Sequence, residues 1–204
     1  MQCLAGAGGS AIDLLVRRPL APTAGSKNGV REHVVEFSAL PPSLPAPDDV
    51  YIALGTTIKT AGSEAAFRAV DFDAVVAVAA AGRAAGATRL AVVSALGADA
   101  DSRVFYNRVK GDMEAAVAAL GYESVVVARP SLLAGDRAAL GQPVRSGEVW
   151  ATRLLRPVMG LVPGSIRPIA AADVAAALVA ALAEARPGVR VVTSAEMQGR
   201  ADRG

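Results

Sequence analysis

The chain has 204 residues, enough for one domain with a proper core, and carries a formal net charge of only +2. Acids and bases are interspersed, so the pI near 9.0 reflects a small arginine excess and not a basic stripe, which argues against a nucleic-acid partner. Cys3 is the only cysteine and His33 the only histidine, which excludes an internal disulfide and a zinc site of the usual Cys/His kind.

The hydrophobic fraction is 52% but aromatics make up only 4%, so the core is built from small residues that let helices approach closely. In chain order, Ile12 to Val16 reads as a strand, stopped by Arg17-Arg18-Pro19. His33 to Phe37 reads as a second strand, with His33 a strand-face residue and not the base of a Ser-His-Asp hydrolase. Pro41 to Pro47 carries four prolines and predicts an irregular connection. Val50 to Leu54 is a third strand, ending at Gly55-Thr56-Thr57. Helical patterns follow at Ser63 to Val70 and at Asp71 to Ala85, the second closed by Gly86. Asp71 and Asp73 read as caps of that helix, with a ribose contact as the other reading. Thr56 and Thr57 are cofactor contacts or turn caps.

Leu90 to Val93 is a buried strand, Arg103 to Leu120 a helix ended by Gly121, and Val125 to Ala128 a strand broken by Arg129-Pro130. A helix is expected at Val149 to Arg156, a stronger one at Ala172 to Ala185, and a last strand at Val189 to Val192. Gln198 to Gly204 reads as a frayed tail beyond a single domain of residues 1–197, whose substrate-side portion starts near residue 130. Short strands alternating with helices predict an α/β fold with a largely parallel, doubly wound sheet. In such sheets ligands bind beyond the carboxyl ends of the strands, and Gly55, Ser94 and Pro130 all lie just past strand ends.

The N-terminal apolar run is broken by Asp13 and followed, not preceded, by its Arg pair, the wrong order for a signal peptide. The Ala-rich run from Ala170 to Ala185 holds Asp173 and Glu184 and is short for a bilayer span. These observations lead to the expectation of a cytoplasmic protein with no membrane partner.

The most informative stretch runs from Ser94 to Gly111, S-A-L-G-A-D-A-D-S-R-V-F-Y-N-R-V-K-G. Only Lys27, Lys59 and Lys110 are lysines, so a Tyr followed four residues later by a Lys arises by chance about 4% of the time on composition. Residues i and i+4 share a helix face, so Lys110 is expected to approach Tyr106 and lower the phenol's pKa. Tyr106 would then serve as a general acid or base, and Ser94 would hold a substrate carbonyl. This set suits hydride chemistry, in which the cofactor supplies hydride and Tyr106 the proton.

From Ala53 onward the chain resembles an atypical short-chain dehydrogenase/reductase of the Tat-interacting-protein oxidoreductase type. The segments that carry the likeness are A-L-G-T-T (Ala53 to Thr57), A-G-S-E-A-A-F (Ala61 to Phe67) and V-D-F-D (Val70 to Asp73). They continue with V-V-S-A-L-G-A-D (Val92 to Asp99), F-Y-N-R-V-K-G-D (Phe105 to Asp112) and A-R-P-S-L-L-A-G-D-R (Ala128 to Arg137). The resemblance implies a Rossmann-like fold, NADP(H) in preference to NAD(H), a small carbonyl or alcohol substrate, and a homodimer as a compatible assembly. It implies catalytic roles for Ser94, Tyr106 and Lys110. It implies cofactor contacts at Leu54, Gly55, Thr56, Pro130, Ser131, Leu133 and Arg145. Arg17 and Arg18 match a pair at a strand end that meets the adenosine ribose, where an Arg receives a 2′-phosphate.

The family's first strand and glycine-rich phosphate loop have no clear counterpart. Gly6-Ala7-Gly8-Gly9-Ser10-Ala11 mimics G-x-G-x-x-A, but only five residues precede it and a strand follows at once. Met1 to Ala5 reads as the stub of a first helix, or as one arm of a short hairpin with Ile12 to Val16. The expectation is therefore a sheet lacking its central strand, and weak NADPH binding by this form. Two other functions stay open: a nucleotide-sensing or interaction protein with a vestigial site, and sugar-nucleotide epimerisation. Asp136 and Arg137 read as a structural pair and Trp150 as a packing anchor. The stretch from Ala138 to Ile169 holds few polar anchors and leaves the substrate unread.

Overall fold

The computed structural model describes residues 11–20, 29–41, 46–134 and 167–201. All strand pairs among them are parallel. β1 (Ile12–Val16) pairs with β2 (Val30–Val34), and a four-stranded sheet runs in the order β3 (Asp49–Ile52), β4 (Arg89–Val93), β5 (Ser124–Arg129), β8 (Gly188–Thr193). A two-residue pair, β6 (Leu133–Ala134) with β7 (Ile169–Ala170), follows β5. Among the described residues no strand hydrogen-bonds β1 to β3.

Alternation along the strands divides the core in two. Leu90 and Val92 of β4 and Val125 and Val127 of β5 face one layer of helices. That layer is α3 (Val75–Ala84), supplying Val75, Val78 and Ala79, and α4 (Phe105–Ala118), supplying Met113 and Val117. Ala91, Val126 and Ala128 face α5 (Ala171–Ala183), with Val174, Ala177, Leu178, Ala181 and Leu182, and also Met197 of α6 (Ser194–Ala201). Residues i and i+2 of a strand thus line one layer and i+1 the other, the arrangement of a doubly wound α/β sheet.

Local chemistry fixes the helices before β4. Thr57 caps α1 (Ile58–Ala61) by accepting from the Thr60 N–H at 3.1 Å. Ser63 caps α2 (Glu64–Arg68) by accepting from the Ala66 N–H at 3.1 Å. From there the chain runs without a break through a π-helical segment, Ala69–Ala74, into α3. The two predicted helices are thus one continuous rod with a π turn in the middle, and Asp71, expected as a cap, lies inside that turn.

Two further expectations are corrected. The second strand is Val30–Val34 and not His33 to Phe37, because β1 registers Ile12 against Val30 and Val16 against Val34. Phe37 leaves the strand and is buried in the core. His33 does sit on the strand face, its Nε2 2.7 Å from Asp13 Oδ1, a contact that holds the Asp13 carboxyl below its usual range. The segment expected to fray at Gln198 instead continues α6 to Ala201. Gln198 is buried there, donating from Nε2 to the Arg167 carbonyl at 2.8 Å and accepting from Arg167 Nε at 2.6 Å.

Candidate active site

The parallel sheet brings the ends of β3, β4 and β5 to one edge, so Gly55, Ser94 and Pro130 do open onto the same side. The loops there are tied together: Ser94 N–H donates to the Ala128 carbonyl at 2.8 Å and Leu96 N–H to the Pro130 carbonyl at 2.9 Å. The loop after β4 also lies directly on α4. A Cβ at Gly111 would fall 2.1 Å from Ala100 N and 2.3 Å from Asp99 C, so only glycine lets this backbone cross the helix one residue past Lys110. Asp99 N–H donates to the Asn107 carbonyl at 3.0 Å and completes the join.

Tyr106 and Lys110 occupy one face of α4, as their spacing requires. Opposite them lie Phe67 and Asp71, also four residues apart, on the rod that passes through the π turn. The rings of Phe67 and Tyr106 are 5.3 Å apart between centroids, and Lys110 Nζ is 2.7 Å from Asp71 Oδ1. The site is therefore two facing pairs, ring on ring and charge on charge. The side chains of Lys110 and Asp71 are 4% and 1% exposed, which makes this an ion pair buried from water. Asp71 Oδ2 also accepts the Thr56 N–H at 2.8 Å.

This arrangement corrects the expected electrostatics of Tyr106. Its phenol is pushed up from the ordinary value, first by burial and then by the charge of Asp71, not lowered by Lys110. The ammonium is met by Asp71, whose negative charge offsets it. Asp71 is the residue that sequence reasoning undervalued. The signal was present as Phe67 and Asp71 at i and i+4, the pattern that singled out Tyr106 and Lys110. π turns inside α-helices often mark functional sites.

Ser94 is 5% exposed, and among the described residues its hydroxyl has no hydrogen-bond partner. A buried hydroxyl left in that condition costs about 1–3 kcal/mol, so a substrate oxygen accepted there would recover stabilisation. Gly55 lies over the ion pair: a Cβ there would sit 3.3 Å from Asp71 Oδ1 and 3.9 Å from Lys110 Nζ. Its exposed backbone thus lies close to both charges with no side chain of its own between them and solvent.

The remaining predicted residues divide. Leu54 packs against the core beneath Gly55, and Pro130 is buried with its carbonyl spent on Leu96. Thr56 acts through its N–H to Asp71, and Thr57 is a cap. The Ser131 hydroxyl donates to the Arg167 carbonyl at 2.5 Å and accepts from Ser194 Oγ at 2.9 Å, so it clasps the chain after β5 to α6. Leu133 is about half exposed in β6, and Arg17 and Arg18 are exposed just past β1. Arg145, Asp136, Arg137, Trp150, the predicted Val149 to Arg156 helix and the Gly6 to Ala11 cluster lie outside the described residues. A separate cleft of about 530 Å³, lined by Asp99, Gly111, Glu114, Val127 and Arg129 among others, includes none of Ser94, Tyr106 and Lys110.

No family model matches the chain. Among curated relatives, the mitochondrial protein FMP52 of Eremothecium gossypii is 33% identical over 196 residues, covering 90% of this chain and 82% of its own length. Protein HTATIP2 of Rattus norvegicus is 36% identical over 159 residues, 76% of this chain and 62% of that protein. The FMP52 of Coccidioides immitis is 37% identical over 139 residues, and the match spans only 56% of its length. The solved structure of MoeE5 with UDP-glucose and NAD superposes with a TM-score of 0.63 at 18% identity, covering 95% of this chain and 73% of that one. The UDP-glucose 4-epimerase of Thermotoga maritima gives 0.58 at 13% identity, covering 90% and 69%. These likenesses establish the Rossmann-type α/β fold. The FMP52 relatives are named mitochondrial, which overturns the expectation of a cytoplasmic protein. No helix among the described residues is long and apolar enough to cross a membrane.

Proposed function

The chain belongs to the family of FMP52 and HTATIP2, NAD(P)-binding proteins of short-chain dehydrogenase/reductase type, and on that premise we propose that it is an NADP(H)-dependent oxidoreductase of a small carbonyl or alcohol. The observation that carries this reading is the buried, unpartnered Ser94 hydroxyl on a loop docked to the helix that bears Tyr106 and Lys110.

A nicotinamide cofactor, when bound, would supply hydride to the carbonyl carbon. Gly55 and Lys110 are the residues proposed to hold its ribose, and Arg17 and Arg18 a 2′-phosphate. Ser94 Oγ–H donates to the carbonyl oxygen and fixes its position. Tyr106 then gives its proton to that oxygen as the C–H bond forms, leaving a phenolate that regains a proton from solvent. A phenol whose pKa is raised is protonated at neutral pH, so the site is set for reduction. Oxidation of the alcohol needs the phenolate and is favoured as pH rises.

The test is NADPH-dependent reduction of a panel of small aldehydes and ketones by the wild-type chain and by Tyr106→Phe. The reading predicts loss of turnover by at least about 10²-fold with the fold intact by circular dichroism. Unchanged turnover in the variant would refute the assignment of Tyr106.

A further inference from the structure

Resting on the reading of Tyr106 as proton donor, we propose that Asp71 is a positioning residue of this site. It fixes the Lys110 ammonium, supplies the charge that Tyr106 faces, and joins both to the turn after β3. Three observations converge on it. Asp71 Oδ1 meets Lys110 Nζ at 2.7 Å with both side chains almost wholly buried. Its other oxygen accepts the Thr56 N–H at 2.8 Å, one residue from the Gly55 backbone proposed to lie beneath the cofactor. Its neighbour one helical turn back, Phe67, is fully buried and packs on the Tyr106 ring. The carboxylate therefore touches the cofactor-side turn and the helix of the proton donor together.

The surrounding charges leave this role to Asp71. On α4 the ionised group on the Tyr106 face is Lys110 itself. On the facing rod, Arg68 is turned away to Asp112 at 3.0 Å and lies over the Phe72 ring. On the loop after β4, Asp99 is exposed and its Oδ1 accepts the Asp101 N–H. The turn Gly55–Thr56 brings no charge. With Asp71 present, Lys110 is compensated and the phenol keeps its proton. Without that negative charge, the same ammonium would favour the phenolate.

The sign of the test follows. In Asp71→Asn, which keeps an oxygen for the Thr56 N–H, the phenolate of Tyr106 forms at lower pH than in wild type, by about one unit or more. The readout needs no cofactor: ultraviolet titration of the phenolate band, taken as the difference between each protein and its Tyr106→Phe counterpart. Where activity is present, the high-pH fall in the reduction rate moves the same way. Lys110→Met leaves Asp71 uncompensated and moves the phenolate to higher pH. The double variant, which removes the pair together, lies between the two and serves if Asp71→Asn fails to fold. An ionisation midpoint unmoved in Asp71→Asn, or Lys110→Met and the double variant titrating alike, overturns the proposal. If the midpoints move as stated while Tyr106→Phe retains full turnover, the role of Asp71 stands and only the reaction assignment falls.

Discussion

At the scale of single residues, the site is built from charges whose partners lie across a helix interface. Tyr106 and Lys110 were legible from their spacing and from the scarcity of lysine. What the spacing misled about was the partner. An i, i+4 pair shares a face, but a face is shared with whatever packs on it, and here Phe67 and Asp71 take the ring and the ammonium. Which way a buried ammonium turns is decided by tertiary contact, and a linear sequence does not display it. Ser131 illustrates the same limit: its hydroxyl is engaged by Arg167 and Ser194, which are 36 and 63 residues away. Arg17 and Arg18, by contrast, stay exposed beyond β1, and the proposed 2′-phosphate contact rests on them. Replacing both with Ala is predicted to reduce the preference for NADPH over NADH about tenfold or more, the worth of a charge-assisted contact. The check is the ratio of kcat/KM for the two cofactors, and an unchanged ratio would remove these arginines from cofactor selection.

At the scale of elements, the strands and helices were readable because alternation and Gly or Pro punctuation agree over most of the chain. The exceptions have physical causes. β2 starts earlier than its apolar residues suggest, since the register with β1 outweighs the pull of Phe37, which is buried outside the strand. The rod from Glu64 to Ala84 reads as two helices because the π turn shifts the apolar phase at Ala69–Ala74. α6 opens on a capping box of Thr193 with Glu196, a local signal, and Gln198 ties it to Arg167, contacts invisible to a local reading. The join of α4 to the Ser94 loop is the element-scale feature on which the site depends. Gly111→Ala places a methyl against the Ala100 backbone, which cannot yield as a flexible side chain does. Overpacking of this kind costs about 1–3 kcal/mol. Thermal unfolding should show Tm lowered by several degrees, together with lost turnover as Ser94 and Tyr106 part. An unchanged Tm would mean that the helix and loop are not in this close contact.

At the scale of the whole molecule, the parallel sheet determines where chemistry can occur. It collects the ends of β3, β4 and β5 on one edge and covers both faces with helices, so the reacting groups lie where loops meet. The fold class and this edge were legible because both follow from the βα alternation. Membership of an NAD(P)-binding family is consistent with the proposed nicotinamide chemistry, and the geometry at Ser94, Tyr106, Lys110 and Asp71 supports the proposed proton donor. The central claim is hydride transfer to a carbonyl carbon, and the most direct measurement follows that hydride. NADPH carrying deuterium at the transferring position of the nicotinamide is incubated with the wild-type chain and a carbonyl substrate, and the product is analysed by mass spectrometry. The account predicts one deuterium on the new alcohol carbon in the wild-type product and none above background with Tyr106→Phe. Alcohol formed by the wild-type chain without the label would contradict it.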